Sequence, residues 1–326
     1  MSGESLLEVE NLGIDLKVED RRYPAVKEVS FAIRRGETYG LVGESGCGKS
    51  ITALALIGLL RPPLYIGGGT IRFKGQEIQA ARAGVIRRLR GNSISMIFQE
   101  PMTALNPLSP VGRQIAEMFV LHKGATWKEA EKHAIEALAK VRVPAPDRRV
   151  KDYPHQLSGG MRQRVMIAIA LACGPDLLLA DEPTTALDVT VQAEILELIR
   201  DLSADIGTAV LMISHDLGLI ANMCGRVGVM YAGRLVEERA ADEIFRAPSH
   251  PYTAGLVASL PLLGARARHG RQRLQEIEGV VPAVTDFPTG CRFNPRCAAR
   301  TDICIAEDPP ETSLPQGGRV RCHHHA

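Results

Sequence analysis

No stretch of this sequence is apolar for long enough to cross a bilayer: the richest, Ile51 to Leu60, runs about ten residues where a membrane span needs about 20. The amino terminus, MSGESLLEVENLG, lacks the basic segment, apolar core and small-residue cleavage site of a secretory signal, so the cytoplasm is the default expectation. Charge of one sign is also missing. Lys and Arg total 39 against 37 Asp and Glu, a net of +2, and duplex nucleic acid is not the default partner of so balanced a surface. Seven cysteines is an odd number, and Cys47, Cys173 and Cys224 are scattered among apolar or loop residues, which argues against a disulfide framework. Cys291, Cys297, Cys304 and Cys322, in contrast, crowd the last 36 residues.

What is present is a pattern of alternation. A chain of 326 residues accommodates two domains, or one α/β domain with an appendage. Leu7, Val9, Leu12, Ile14 and Leu16, followed by Val26, Val29, Phe31 and Ile33, approximate a period of two and predict an antiparallel sheet. Tyr39 to Gly43 predicts a short strand, and Ile51 to Leu60 a buried helix stopped by Pro62 and Pro63. Gly67 to Gly69 and Gly75 punctuate another pair of strands, and Ile94 to Phe98 gives one more. From Pro107 to about Gln156 the pattern is helical, most clearly over Trp127 to Lys140. Helices over Met161–Ala172 and Val191–Ser203 then alternate with strands over Asp176–Ala180, Ala209–Ser214 and Val227–Met230, which predicts a parallel sheet covered on both faces. After about Leu235 the chain turns rich in Pro, Gly and Arg. The basic runs Arg82–Arg90 and Arg266–Arg273 read as a solvated face and a linker.

Gly43-Glu44-Ser45-Gly46-Cys47-Gly48-Lys49-Ser50 matches G-x-x-x-x-G-K-[ST] between a predicted strand and the helix that Ile51 continues, the context a phosphate loop requires. Glycines let successive backbone N–H groups aim at an anion, and the helix terminus adds about half a positive charge. Lys49 supplies a point charge for the β- and γ-phosphates, and the Ser50 hydroxyl is a Mg²⁺ ligand. Cys47, at a helix start, is either a thiol of lowered pKa or a small residue tolerated in a variable loop position. Asp181 and Glu182 follow four apolar residues at a strand's carboxyl end, where open α/β sheets bind ligands: Asp181 is placed to hold Mg²⁺ and Glu182 to polarise an attacking water. Ser158, Gly159 and Gly160 open a helix with bare N–H groups, a second anion cradle or a plain cap.

These residues resemble the nucleotide-binding subunits of ATP-binding cassette (ABC) transporters over about residues 5 to 240. Gly43–Ser50 is similar to Walker A, Gln99 in Phe-Gln-Glu-Pro to the Q-loop, Leu157–Met161 to the signature, Leu178–Glu182 to Walker B, Ala186-Leu187-Asp188 to the D-loop and His215 in Ile-Ser-His-Asp to the switch histidine, in the family's order. The resemblance implies a P-loop NTPase (RecA-like) α/β core with an antiparallel β subdomain, a helical subdomain at about 100–160 and a small Cys-containing extension, divided at 1–240 and 241–326. It implies a head-to-tail dimer in which Ser158 and Gly160 of one protomer close on the γ-phosphate at the Walker A of the other. It further implies that Gln99 couples Mg²⁺ and water to the membrane subunits and that His215 contacts the γ-phosphate. The family stacks adenine on an aromatic upstream of Walker A; only Tyr23 is near, a few residues from the expected place, and it equally suits an ordinary strand position.

Ser249-His-Pro-Tyr-Thr253, the helical Gly255–Leu260 with Pro261, and Gly290-Cys-Arg-Phe-Asn-Pro-Arg-Cys297 resemble the tail of the oligopeptide and dipeptide importer ATPases. That branch implies two integral membrane permease subunits, an extracytoplasmic solute-binding protein, a second and related ATPase chain, and a peripheral position on the cytoplasmic face of the inner membrane. The spacing C-x5-C-x6-C-x17-C differs from the C-x2-C pairs of structural zinc. Four thiolates can hold Zn²⁺ or a [4Fe-4S] cluster, or remain free; the branch favours the cluster. His323–His325 read as further ligands or as a solvated end. The alternative to a transport ATPase is a cassette protein acting on nucleic acid or the ribosome. Against it, Lys49 and Ser158 are only 109 positions apart, leaving no room for a long coiled coil, and the chain has one cassette. A small-molecule kinase would leave the signature and His215 without a purpose.

Overall fold

A computed structural model describes residues 4–100, 104–184, 187–260 and 277–325. Pro101, Ala186, Pro261 and the Arg266–Arg273 run lie outside the described residues. In chain order the strands are β1 (Ser5–Val18), β2 (Arg21–Arg34), β3 (Thr38–Val42), β4 (Leu64–Phe73), β5 (Gln76–Glu77), β6 (Ile94–Ile97), β7 (Leu177–Asp181), β8 (Ala209–Ser214), β9 (Arg226–Tyr231), β10 (Arg234–Ala240), β11 (Thr312–Ser313) and β12 (Arg319–Val320). The helices are α1 (Lys49–Leu56), α2 (Ala83–Leu89), α3 (Val111–Lys123), α4 (Trp127–Lys140), α5 (Pro146–Arg149), α6 (Gly159–Leu171), α7 (Val189–Ile206), α8 (Leu217–Met223), α9 (Ala241–Arg246), α10 (Pro251–Ala258) and α11 (Asp302–Ala306). Among the described residues no helix is long and apolar enough to cross a membrane.

The chain divides into two compact units. The first is Ala80–Ile213 with two short amino-terminal pieces. Its strands β6, β7 and β8 pair in parallel, with Ile94 opposite Leu177 and Leu177 opposite Ala209. Every residue of β7 and β8 is buried, the continuous apolar run of a parallel strand covered on both faces. Helices α3, α4, α6 and α7 belong to this unit, and α4 buries only the stripe of Ala130, Ala134, Ala137 and Leu138.

The second unit combines Leu7–Ala32, Thr38–Gln79 and the chain from Ser214 onward. One of its sheets runs β2-β1-β4-β5, with Leu7, Val9, Leu12 and Ile14 buried from β1 and Val26, Val29 and Phe31 from β2. Its other strands run β3-β9-β10-β12-β11. β3, which feeds the glycine-rich loop, lies parallel to β9, with Tyr39 opposite Arg226 and Val42 opposite Val229. β10 folds back antiparallel through Ala232 and Gly233, both at positive φ, and accepts β12 from the carboxyl-terminal segment.

Several expectations change. The helix predicted over Ile51–Leu60 is Lys49–Leu56; it ends where Gly58 adopts φ +63°, before either proline. Gly67–Gly69 do not separate two strands: they lie within β4 at an irregularity opposite Gly13, and the turn into β5 falls at Gly75. β10 was hidden by its charge, since Arg234, Glu237, Glu238 and Arg239 are all buried there. The Arg82–Arg90 run does not change: it contains α2, none of whose residues is buried, as a solvated face requires.

Helix α4 starts with a reciprocal cap. Thr126 N–H donates to Glu129 Oε2 at 2.9 Å, and Glu129 N–H donates to Thr126 Oγ1 at 3.4 Å. Thr126→Ala is expected to cost about 1 kcal/mol of local stability, and exchange of the first-turn amides of α4 should accelerate roughly fivefold by hydrogen-exchange mass spectrometry.

Candidate functional site

The glycine-rich loop connects β3 to α1 in the second unit. Gly43 is where a side chain is least tolerable: a Cβ there would stand 2.1 Å from Met230 O and 2.8 Å from Cys47 Sγ. The loop is fastened from outside by Gly233 N–H donating to Cys47 O at 2.9 Å. Lys49 is buried, and its ammonium donates to Gly43 O at 2.7 Å and Glu44 O at 3.0 Å, so the cation is held inside the curl of the loop. Ser50 and Ile51 lie in the first turn of α1, with Gly48 as its amino-terminal cap. Ser45 and Gly46 form the exposed crest. Tyr23, half-buried, is near the start of β2. Cys47 is 1% exposed, and burial pushes its thiol up in pKa more than the neighbouring Lys49 draws it down. Desolvation therefore works against the activated-thiol alternative and favours the reading of Cys47 as a small residue tolerated in the loop.

The acidic pair belongs to the first unit. β7 ends at Asp181, and Glu182 follows; both are buried. Glu182 has φ +45°, and its N–H donates to Ile213 O at 3.0 Å, which ties the turn to the end of β8. Gln99 Nε2 donates to Glu182 Oε2 at 3.1 Å, so two residues 83 positions apart in sequence meet at one carboxylate. In the same unit Ser158 caps α6, accepting from Met161 N–H at 3.3 Å, with Ser158 and Gly159 exposed. A Cβ on Gly160 would stand 3.1 Å from Val191 Cγ1, so the cap packs against the first turn of α7, itself capped by Asp188. In the second unit His215 is exposed between β8 and α8, and Asp216 caps that helix, accepting from Leu219 N–H at 3.1 Å.

The carboxyl-terminal segment brings Cys291, Cys297, Cys304 and Cys322 to one small cavity, which His250 and His324 also line. Burial raises the Cys291 thiol to about 11, with the neighbouring cysteines adding to it, and raises Cys297 and Cys322 as well. Among the described residues no group of three or more His, Cys, Asp and Glu side chains has the geometry to hold a metal ion. His323 and His325 bond to the carbonyls of Glu307 and Cys322.

Two contacts of this segment were not foreseen. Glu44 N–H donates to Tyr252 Oη at 2.9 Å, and Arg296 makes a two-point ion pair with the Glu44 carboxylate at 2.6 and 3.0 Å. The motifs containing Tyr252 and Arg296 stood out in the sequence, but nothing in their spacing pointed to a loop more than 200 positions away.

Comparison with known proteins shows the family. Residues 26–185 match the ABC transporter family, and residues 236–304 match the oligopeptide/dipeptide transporter C-terminal region. The chain is 48% identical over 319 residues to the probable peptide ABC transporter ATP-binding protein y4tR of Sinorhizobium fredii, covering 97% of this chain and 94% of that one. The chain belongs to the ABC transporter ATP-binding family. It is also 46% identical over 322 residues to the oligopeptide transport ATP-binding protein AppD of Bacillus subtilis, covering 98% and 96% of the two chains. Among solved structures, the dimeric post-hydrolysis ATP-binding cassette MJ0796 bound to ADP and Pi aligns with a TM-score of 0.65 at 27% identity, covering 72% of this chain and 98% of that one. The cassette cbiO1 of Clostridium perfringens gives 0.63 at 27% identity, covering 74% and 91%. The fold is accordingly that of an ABC ATPase cassette, a P-loop NTPase, and ATP hydrolysis is the family's chemistry.

The burial of Cys47 has a direct readout. Iodoacetamide at pH 7.5 should leave Cys47 unmodified in the native chain and alkylate it after denaturation, as measured by peptide mass mapping.

Proposed function

We propose that this chain hydrolyses MgATP to drive import of di- or oligopeptides, or related solutes, through membrane partner subunits. The observation that carries the reading is that similarity to peptide-transport ATPases runs through the tail as well as the cassette, at 48% identity over 97% of the chain. A cassette acting on nucleic acid or ribosomes has no use for a peptide-transporter carboxyl-terminal region, and that alternative is set aside.

On this reading the N–H groups of Gly43 to Ile51 and the Lys49 ammonium take the nucleotide's phosphates, and Tyr23 is the adenine platform. Ser50, Gln99 and Asp181 are the Mg²⁺ ligands, and the ion neutralises charge on the phosphates. Glu182 accepts the proton of the attacking water, and its hydrogen bond from Gln99 supports that role because it aims one carboxylate oxygen. His215 contacts the γ-phosphate. Ser158, Gly159 and Gly160 act on the γ-phosphate bound by a second ATPase chain; support comes from their exposed cap and from the dimeric state of MJ0796. We assign residues 1–240 to the cassette and 241–326 to the extension. Two permease subunits, an extracytoplasmic solute-binding protein and a related second ATPase complete the assembly, at the cytoplasmic face of the inner membrane.

The four tail cysteines suit a [4Fe-4S] cluster. Support comes from the four thiols lining one cavity, and Zn²⁺ is the alternative for the same four ligands. A cluster would supply a covalent staple to a segment poor in apolar core.

Glu182→Gln is expected to lower ATP turnover of the assembled transporter by at least about 1,000-fold while MgATP affinity stays within a few-fold, measured by phosphate release and nucleotide binding. Wild-type turnover in that variant would remove Glu182 as the base. Anaerobically purified protein is expected to absorb at about 400 nm and to contain iron; a colourless, iron-free sample would exclude the cluster.

A further inference from the structure

We infer that Arg296 of the carboxyl-terminal segment is a positioning residue for the nucleotide reaction, acting through Glu44 to set the phosphate loop. The inference rests on the reading of that loop as the MgATP site.

Glu44 is the second residue of the loop, and each of its polar groups is engaged. Its N–H goes to Tyr252 Oη, its carboxylate goes to both Arg296 terminal nitrogens, and its carbonyl accepts from the Lys49 ammonium. Tyr252 and Arg296 therefore fix the backbone whose carbonyl holds the loop's cation. The Arg296 side chain is 5% exposed and that of Glu44 31%, so the pair is well shielded from water on the arginine side. A two-point guanidinium–carboxylate contact of this kind has directional as well as electrostatic strength.

Arg296 is itself held rigidly. Its Nε donates to Glu278 O at 2.8 Å and its Nη2 to Ile277 O at 3.1 Å, while the guanidinium lies 5.7 Å from the Tyr231 ring centre. Tyr231, Tyr252 and Phe293 pack ring against ring, with centroids 4.7 to 5.4 Å apart. The segment bearing Phe293 and Arg296 also sends Arg292 to the carbonyls of Ala232 and Pro24. The tail thus grips the loop at Glu44 and the start of β2 at Pro24, one residue from Tyr23. Without Arg296, an unneutralised carboxylate would stand at the rim of a loop that must receive phosphates, on a backbone released from one of its two anchors.

The test is a double-mutant cycle in the full-length chain, reading the MgATP dissociation constant by equilibrium binding and confirming folding by circular dichroism. Arg296→Gln should weaken MgATP binding about tenfold, and Arg296→Lys should recover part of that loss. The decisive arm is the Glu44→Gln background, where Arg296→Gln should add less than about twofold because its partner is already gone. In the assembled transporter the Arg296→Gln effect should appear in KM, with kcat at saturating ATP within about twofold of wild type. Arg300→Gln, an exposed change in the same segment, is the control. Unaltered affinity in Arg296→Gln would overturn the inference, as would an undiminished tenfold loss in the Glu44→Gln background, since Arg296 would then only brace the tail. Failure of the wild-type chain to bind MgATP would instead remove the underlying reading and the inference with it.

Discussion

A loop that grips phosphate with its backbone cannot hold its own shape, because the glycines that clear space for the ligand also remove the side chains that would pack it. Here the constraint is met from outside the loop and by the loop's own lysine. Gly43 is pressed against Met230 O so closely that no Cβ fits, Gly233 N–H fastens Cys47 O, and Lys49 closes the curl onto Gly43 O and Glu44 O. Met230 and Gly233 belong to the β9–β10 hairpin. The shape of the glycine-rich loop is therefore set by the strand that pairs in parallel with β3 and by the turn that follows it.

That dependence explains the unusual chemistry of β10. A strand with four buried charged residues is a poor source of net stability, since desolvation offsets much of each ion pair. It is a good source of register. Glu238 pairs with Arg226 of β9 and Arg319 of β12, and Glu237 accepts the N–H groups of Ser249 at 2.8 Å and His250 at 2.9 Å. A slip by one residue would strand every one of these partners, whereas an apolar strand could slide at less cost. His250 in turn accepts from Tyr252 N–H at 3.0 Å, so the register of β10 reaches the tyrosine that bonds the phosphate loop. Burial drives the His250 imidazole down to about 3, which keeps it neutral and able to accept that bond at ordinary pH.

The residues proposed for the chemistry stand out in the sequence because they form fixed local patterns: Gly43 to Ser50, Ser158 to Gly160, and Asp181-Glu182 each fall within a few positions. Strands β6 to β8 were legible for the same local reason, as short apolar runs between helices. What local pattern could not show was the partner of a charged residue. β10 has the hairpin signal of Ala232-Gly233 in front of it, yet its sequence RLVEERA reads as surface until Arg226 and Arg319 are known to face it. The meeting of Gln99 with Glu182 and that of Glu44 with Arg296 are likewise products of topology, invisible to any window of the chain. The misplaced end of α1 has a simpler cause: Gly58 terminates a helix earlier than the proline pair behind it.

Glu182 shows how position is enforced when a side chain must be aimed. A non-glycine residue at φ +45° costs roughly 1 kcal/mol, and it persists only where its surroundings over-determine it. Here the backbone is fixed by Ile213 O and the carboxylate by Gln99, so relaxing the dihedral would break a strand-end hydrogen bond and release the side chain together. The same logic governs the loop in the other unit, where Lys49 is held by carbonyls whose own positions are set by Met230, Tyr252 and Arg296. In both units the residue proposed to meet the nucleotide depends on partners distant in sequence, directly for Glu182 and through two neighbouring carbonyls for Lys49. The tail bears two of those partners, Tyr252 and Arg296, so the position of Glu44 depends on the tail as well as on the cassette.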